Sequence, residues 1–181
     1  MSTPREPLKA KLIVSLFMKE KEMLKPFALA LQDIFGPVDM VSPWLAFDFT
    51  GYYEKEMGAP LFRRVLTFQK LVDQDRLVHI KYYTNELEAQ YIEKGNRRVN
   101  ADPGILSHER FVLATGKNFT HRIYLKKGIF ADLTLIFTKE RFQFLPWTYP
   151  DYRDQKMLCF LEKVRKKYIV DLKQDNESTK T

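Results

Sequence analysis

One short apolar run, Leu12-Ile-Val-Ser-Leu-Phe17, most narrows what this chain can fold into. It is rich in β-branched residues and nearly free of polar ones, the pattern of a strand buried on both faces. It is too short to span a bilayer, which takes about 20 apolar residues, and no small-residue cleavage site follows it. It is therefore read as the first strand of a sheet.

Helical periodicity comes next. Leu24, Phe27, Ala28, Leu31 and Ile34 recur at steps of three and four, Pro26 fits a first turn, and Gly36-Pro37 stops the helix. Val38 to Phe49 is apolar and aromatic, but Pro43 confines it to a sheet edge or a bulge. Arg63 to Phe68 reads as a third strand after a turn at Gly58 to Pro60. From Asp75 to Glu93, Leu77, Ile80, Tyr83, Leu87 and Tyr91 keep helical steps up to Gly95. A strand over Leu77 to Tyr83 competes, and the helix is preferred because it gathers the charged residues on one stripe. Strand–helix–strand–strand–helix over residues 12–94 opens a ferredoxin-like pattern.

Residues Phe111 to Ala114, Arg122 to Leu125, Ile129 to Phe137 and Arg141 to Leu145 are β-like runs separated by turn signals, so antiparallel pairing is expected. Lys126-Lys127-Gly128 fits a tight hairpin. Leu158, Leu161, Val164, Tyr168 and Leu172 mark a closing helix. The expectation is one α+β domain over residues 11–173, with an antiparallel or mixed β-sheet and about three helices. A chain of 181 residues suits a single core, and 45% hydrophobic with 14% aromatic residues excludes disorder. Residues 1–10 and 174–181 are expected to be flexible ends.

Lysine and arginine number 30 against 23 acids, a formal charge of +7 that favours anionic partners without singling out nucleic acid. Lys163, Arg165, Lys166 and Lys167 read as a solvated helix face. The single cysteine, Cys159, permits neither an internal disulfide nor a Cys/His zinc pattern, so a reducing, cytoplasmic setting without membrane contact is expected. Lying among apolar residues, Cys159 is expected to be buried packing.

Residues 97–122 are the richest in chemistry. Arg97, Arg98, Lys117, His121 and Arg122 supply the forked and point-charge donors that phosphate oxygens require. Asp102-Pro103-Gly104 is a turn signal whose aspartate bonds local amides. His121 is the first choice for acid–base work, because an unperturbed imidazole titrates near neutrality; a structural histidine is the competing reading. His121, Asp102 and Glu54 form the candidate catalytic set. Arg98, Asn100, Lys117, Arg122, Asp151, Arg153 and Tyr53 form the candidate ligand-binding set. His108, Glu109, Asp102, Asp132 and His121 match no metal-ligand spacing, so no metal site is assigned.

Two further groups have plainer readings beside functional ones. Lys81, Thr84, Asn85 and Glu88 share one helix face, which is more simply an exposed polar stripe. Trp44, Phe47, Phe49, Tyr52, Tyr53, Trp147 and Tyr149 can stack bases, but aromatics of this kind are mostly packing. Gly116-Lys117 is no phosphate-binding loop, because Phe111 stands where the first glycine belongs and Asn118 where Ser or Thr belongs. His108-Glu109 lacks the second histidine of the zinc-protease helix, and there is no Gly-x-Ser-x-Gly elbow.

Four segments carry a resemblance: Phe47-Asp-Phe-Thr-Gly-Tyr-Tyr-Glu-Lys-Glu-Met-Gly58, Arg98-Val-Asn-Ala-Asp-Pro-Gly104, Leu113-Ala-Thr-Gly-Lys-Asn-Phe-Thr-His-Arg-Ile-Tyr-Leu125 and Trp147-Thr-Tyr-Pro-Asp-Tyr-Arg153. In that order they are similar to an uncharacterised bacterial family of about this length, a domain of unknown function. Some members carry the label "GTP-binding protein", to which the absent glycine-rich loop lends nothing here. Asp132 stands where the family pattern leads one to expect glutamate.

The function expected from these residues is binding, with hydrolysis or transfer if it is an enzyme, of a phosphorylated small molecule or nucleotide. Arg98, Lys117, His121, Arg122 and Arg153 would hold the anion, and Asp102, Glu54 or Asp151 would orient a sugar, a water or a metal. A non-catalytic RNA-binding module and a structural or partner-binding protein are the competing expectations. The sequence assigns no cofactor and no oligomeric state.

Overall fold

The computed structural model describes residues 3–178. The first strand, β1 (Ala10–Met18), is buried along its whole length. After it come α1 (Leu24–Phe35), β2 (Val38–Val41), β3 (Leu45–Ala46), the short α2 (Glu54–Met57) and the long β4 (Phe62–Val72). The chain continues through α3 (Leu77–Gln90), a small hairpin of β5 (Ile92–Glu93) and β6 (Asn96–Arg97), and then β7 (Val99–Leu106). Strands β8 (Arg110–Thr115), β9 (Arg122–Lys126), β10 (Ile129–Thr138) and β11 (Arg141–Phe144) lead to α4 (Gln155–Ser178). Helix, not strand, is thus the outcome over residues 77–90.

The result is a single α+β domain on a nine-stranded antiparallel sheet. Its order is β11-β10-β8-β7-β1-β4-β2, with β3 also on β4 and β9 also on β10. Placing β1 mid-sheet explains its apolar run, in which Ser15 is the one polar residue. The Pro43 segment holds no ladder position: β2 ends before it on the sheet edge, and its pairing with β4 is shifted between Val38 and Met40.

Helices cover the two faces separately. Leu12, Val14 and Leu16 pack with Phe27 and Leu31 of α1 and Ile80 and Leu87 of α3. On the opposite face Ile13, Val65, Leu106 and Leu113 pack with Met157, Leu161, Val164 and Tyr168 of α4. That second face begins with a charge. Lys11 is fully buried, ion-paired to Asp39 and 2.7 Å from Asp171, and Lys167 bridges the same two carboxylates at 3.2 and 2.7 Å. Thr67 donates to Asp39 as well. The network ties α4 and β2 to the centre of the sheet.

Several expectations are corrected. Asp102-Pro103-Gly104 makes no turn; it runs through β7 in the middle of the sheet. Strand β7 pairs with β1 from Val99 to Leu106, but with β8 only from Gly104 to Leu106. Proline gives no N–H to a ladder, and Pro103 is accommodated because β8 has left that side. Gly104 is required by crowding where the strands part: a Cβ there would lie 2.6 Å from the Val112 carbonyl and 2.8 Å from the Phe111 ring. Cys159 is exposed rather than buried, since Met157, Phe160 and Leu161 take the inward face of α4. Lys163 and Lys166 are solvated, but Arg165 lies 3.5 Å over the Phe137 ring and Lys167 belongs to the Lys11 network.

Residues 174–178 of the expected tail continue α4, and residues 179–181, like residues 1 and 2, lie outside the described part. Among the described residues no helix is long and apolar enough to cross a membrane.

Candidate functional site

Register decides which side chains meet over the half of β7 that β8 has left. Residues directly opposite one another in an antiparallel pair project on the same face. Arg63, Phe17 and Asn100 therefore form one row across β4, β1 and β7, and Val65, Ser15 and Asp102 form the next. Here α4 no longer covers the sheet. A cleft of about 630 Å³ opens instead, walled by the segment 47–53, the end of β8 with Gly116 and Lys117, and the turn around Asp151.

The backbone exposed along β7 is satisfied by side chains of α3. Glu88 accepts the Ala101 N–H at 2.7 Å, and Lys81 donates to the Ala101 carbonyl at 3.0 Å. The polar stripe of α3 is thus buried at Lys81, Thr84 and Glu88, not exposed, because it replaces a missing strand. From it a chain of polar contacts runs along the floor. Lys81 lies 3.5 Å from Asp102, the Asn100 amide donates to Asp102 at 2.9 Å, and Arg97 donates to Asn100 at 2.7 Å. Arg97 also forks onto Glu56, with bonds of 2.6 and 2.7 Å.

These contacts shift the ionisations. The bonds from Arg97 hold Glu56 below the usual carboxylate range, and Glu56 in turn raises the guanidinium. Burial pushes Glu88 up, against the pull of Lys81. Burial, helped by the Asp102 charge, pushes the Tyr53 hydroxyl up to about 12.

Aromatic rings form the other side. Phe17 stacks on Phe47 with centroids 4.4 Å apart, and Tyr53 meets Phe17 edge-on at 4.7 Å. The Arg63 guanidinium lies 4.5 Å over the Phe47 ring and is ion-paired with Asp151. At the mouth Phe49, Tyr52 and Tyr149 are exposed, and the Lys117 ammonium rests 4.4 Å over the Tyr52 ring. Asp132 lines the β10 side, held from behind by Arg122 at 2.9 Å and His121 at 3.2 Å.

Of the residues singled out in the sequence, Tyr53, Asn100, Asp102, Lys117 and Asp151 line the cleft. His121 and Arg122 stand behind Asp132, with the His121 ring stacked on Trp147 at 4.9 Å. The other three lie elsewhere. Arg98 pairs with Glu20 and Glu93, Glu54 is exposed on α2, and Arg153 donates to the carbonyls of Thr148 and Pro146. Phe17, Arg63, Lys81, Asn85, Glu88 and Arg97, all outside the two candidate sets, line it as well. The α3 stripe pointed to three of these. Arg63 carried a weaker signal, an arginine inside an otherwise apolar strand.

Among the described residues no three His, Cys, Asp or Glu side chains are grouped to hold a metal ion. No curated protein and no solved structure matches the chain. A family model described as "Domain of unknown function (DUF4416)" matches residues 8–168, and the chain belongs to that family.

Proposed function

We propose that the cleft binds a phosphorylated small molecule or nucleotide. The observation that carries this reading is convergence. Eight separated stretches of sequence bring aromatic faces, amides, carboxylates and basic side chains around one void of about 630 Å³, inside the roughly 300–1,000 Å³ range of small-molecule sites. The rings of Phe17, Phe47 and Tyr53 along one wall suit a planar group, Asn100 and Asp102 suit hydroxyls, and Lys117 suits a phosphate oxygen.

If the bound molecule reacts, Asp102 is the group to accept a proton. Its side chain is 33% exposed, and Lys81 and Asn100 fix its position. His121 acts at one remove in this reading, by orienting Asp132.

Mass spectrometry of small molecules that co-purify with the chain, followed by calorimetry with the recovered compound, tests the proposal. An organic phosphate whose affinity falls at least tenfold in Asp102→Ala supports it; binding indifferent to Asp102→Ala and Asn100→Ala sinks it. The RNA reading has its own observation, the exposed Phe119, Ile123 and Tyr124 close in sequence to Lys126 and Lys127. It requires affinity for single-stranded RNA that falls steeply with salt.

A further inference from the structure

Charge is distributed differently at the two ends of the cleft. Toward the floor three cations line it, and each already has a carboxylate: Arg63 has Asp151, Arg97 has Glu56, and Lys81 has Asp102 at 3.5 Å. Glu88 adds another carboxylate 3.4 Å from Arg97. A phosphate driven to that end would have to break these pairs and would face Glu88, Asp102 and Asp151. The floor is instead rich in neutral or mutually compensated hydrogen-bonding groups, including the Asn85 and Asn100 amides.

At the mouth Lys117 differs. Its ammonium meets the ring of Tyr52 and lies 3.4 Å from the Tyr52 hydroxyl, and among the described residues no carboxylate pairs with it. The other cation near the mouth, Arg122, is committed to Asp132, and its side chain is only 7% exposed. One phosphate can therefore be served, and a second or third would extend past Lys117 into solvent.

Resting on the reading above, the geometry points to a nucleoside monophosphate that enters nucleoside first. Its uncharged part contacts Asn85, Asn100 and Asp102, and its single phosphate stays at Lys117. Most of the affinity then comes from the nucleoside, and the phosphate adds about tenfold, the worth of one exposed charge-assisted bond.

Calorimetric titration of the full chain with the four ribonucleosides, their 5′-monophosphates and their 5′-triphosphates tests this. The expected result is one nucleoside whose monophosphate binds about tenfold tighter and whose triphosphate binds no tighter than the monophosphate. Lys117→Ala, at an exposed position, should remove the roughly tenfold difference between the monophosphate and the nucleoside, and a difference that persists in this variant would overturn the inference. Triphosphates that bind while nucleosides are more than a hundredfold weaker would overturn the inference and leave the proposed function standing. Failure of every nucleoside and nucleotide to bind, with a different organic phosphate recovered from the purified chain, overturns the inference alone. If no organic phosphate binds either, the proposed function falls with it.

Discussion

One face of β1 ends in two charge networks that differ in a single respect. At the Lys11 end, Asp39, Asp171 and Lys167 close over the ammonium beneath α4. At the Phe17 end, Arg63, Asp151, Arg97, Glu56, Lys81 and Asp102 are also paired, but around a void. Buried ion pairs alone therefore do not mark a site, since desolvation largely offsets their attraction and closed networks of this kind are often architectural. The void distinguishes the second network, and it arises because β7 and β8 part at Gly104.

The largest effect is expected from breaking the closed network. Lys11→Met removes the buried cation between Asp39 and Asp171 and leaves only the partly exposed Lys167 to hold them, at a cost of about 3–5 kcal/mol in urea unfolding at pH 7. The pH dependence has a definite sign. Burial alone would raise Asp39, but the bonds from Lys11, Thr67 and Lys167 outweigh it and hold this carboxyl below its ordinary 3.8. Its contribution is present above that value and is lost as pH falls through the lower, folded one. The gap between wild type and Lys11→Met should narrow from pH 7 to pH 3; a constant gap would show that the methylene stem, not the charge, matters there.

Gly104→Ala tests the parting of the strands directly. The added methyl meets the Val112 carbonyl and the Phe111 ring well inside contact distance, and overpacking of this kind costs about 1–3 kcal/mol. Loss of stability together with loss of ligand binding is expected. Asp102→Ala, at the open network, should cost at most about 1.5 kcal/mol, because its cation is 3.5 Å away, its side chain is 33% exposed and the bond lost from Asn100 is one ordinary hydrogen bond. A larger loss would make the open network as architectural as the closed one.

These variants also show what the sequence could and could not disclose. The runs 12–17, 24–34 and 158–172 signal their elements because burial and period coincide in them. Strand β7 was masked. Its alternation is real, with Val99 and Ala101 inward and Asn100 and Asp102 toward the cleft, but the polar positions and Pro103-Gly104 carry the local chemistry of a turn. Only the pairing with β1, which the local sequence does not encode, overrides that chemistry. Tyr53, Asn100, Asp102, Lys117 and Asp151 could be named because polar and aromatic residues cluster around them. The pairing of Arg63 with Asp151 joins β4 to the turn before α4, and neither segment has a local reason for it.

The smallest effect, and the sharpest contrast with Asp39, belongs to Glu88. Both are carboxylates held by basic partners, yet Asp39 is shifted down while burial pushes Glu88 above its ordinary 4.5. A raised folded value means a contribution that is full below the ordinary value and lost as pH rises through the folded one, so ionising Glu88 is a net cost to the fold. Glu88→Gln keeps an oxygen for the Ala101 N–H and removes the charge. Stability at pH 7 should be unchanged or rise by up to about 1 kcal/mol, and the difference from wild type should vanish near pH 4. A clear loss at pH 7 would mean that Lys81 and Arg97 favour the carboxylate more than burial opposes it. Glu88 would then behave as Asp39 does, and the open network would differ from the closed one in shape alone.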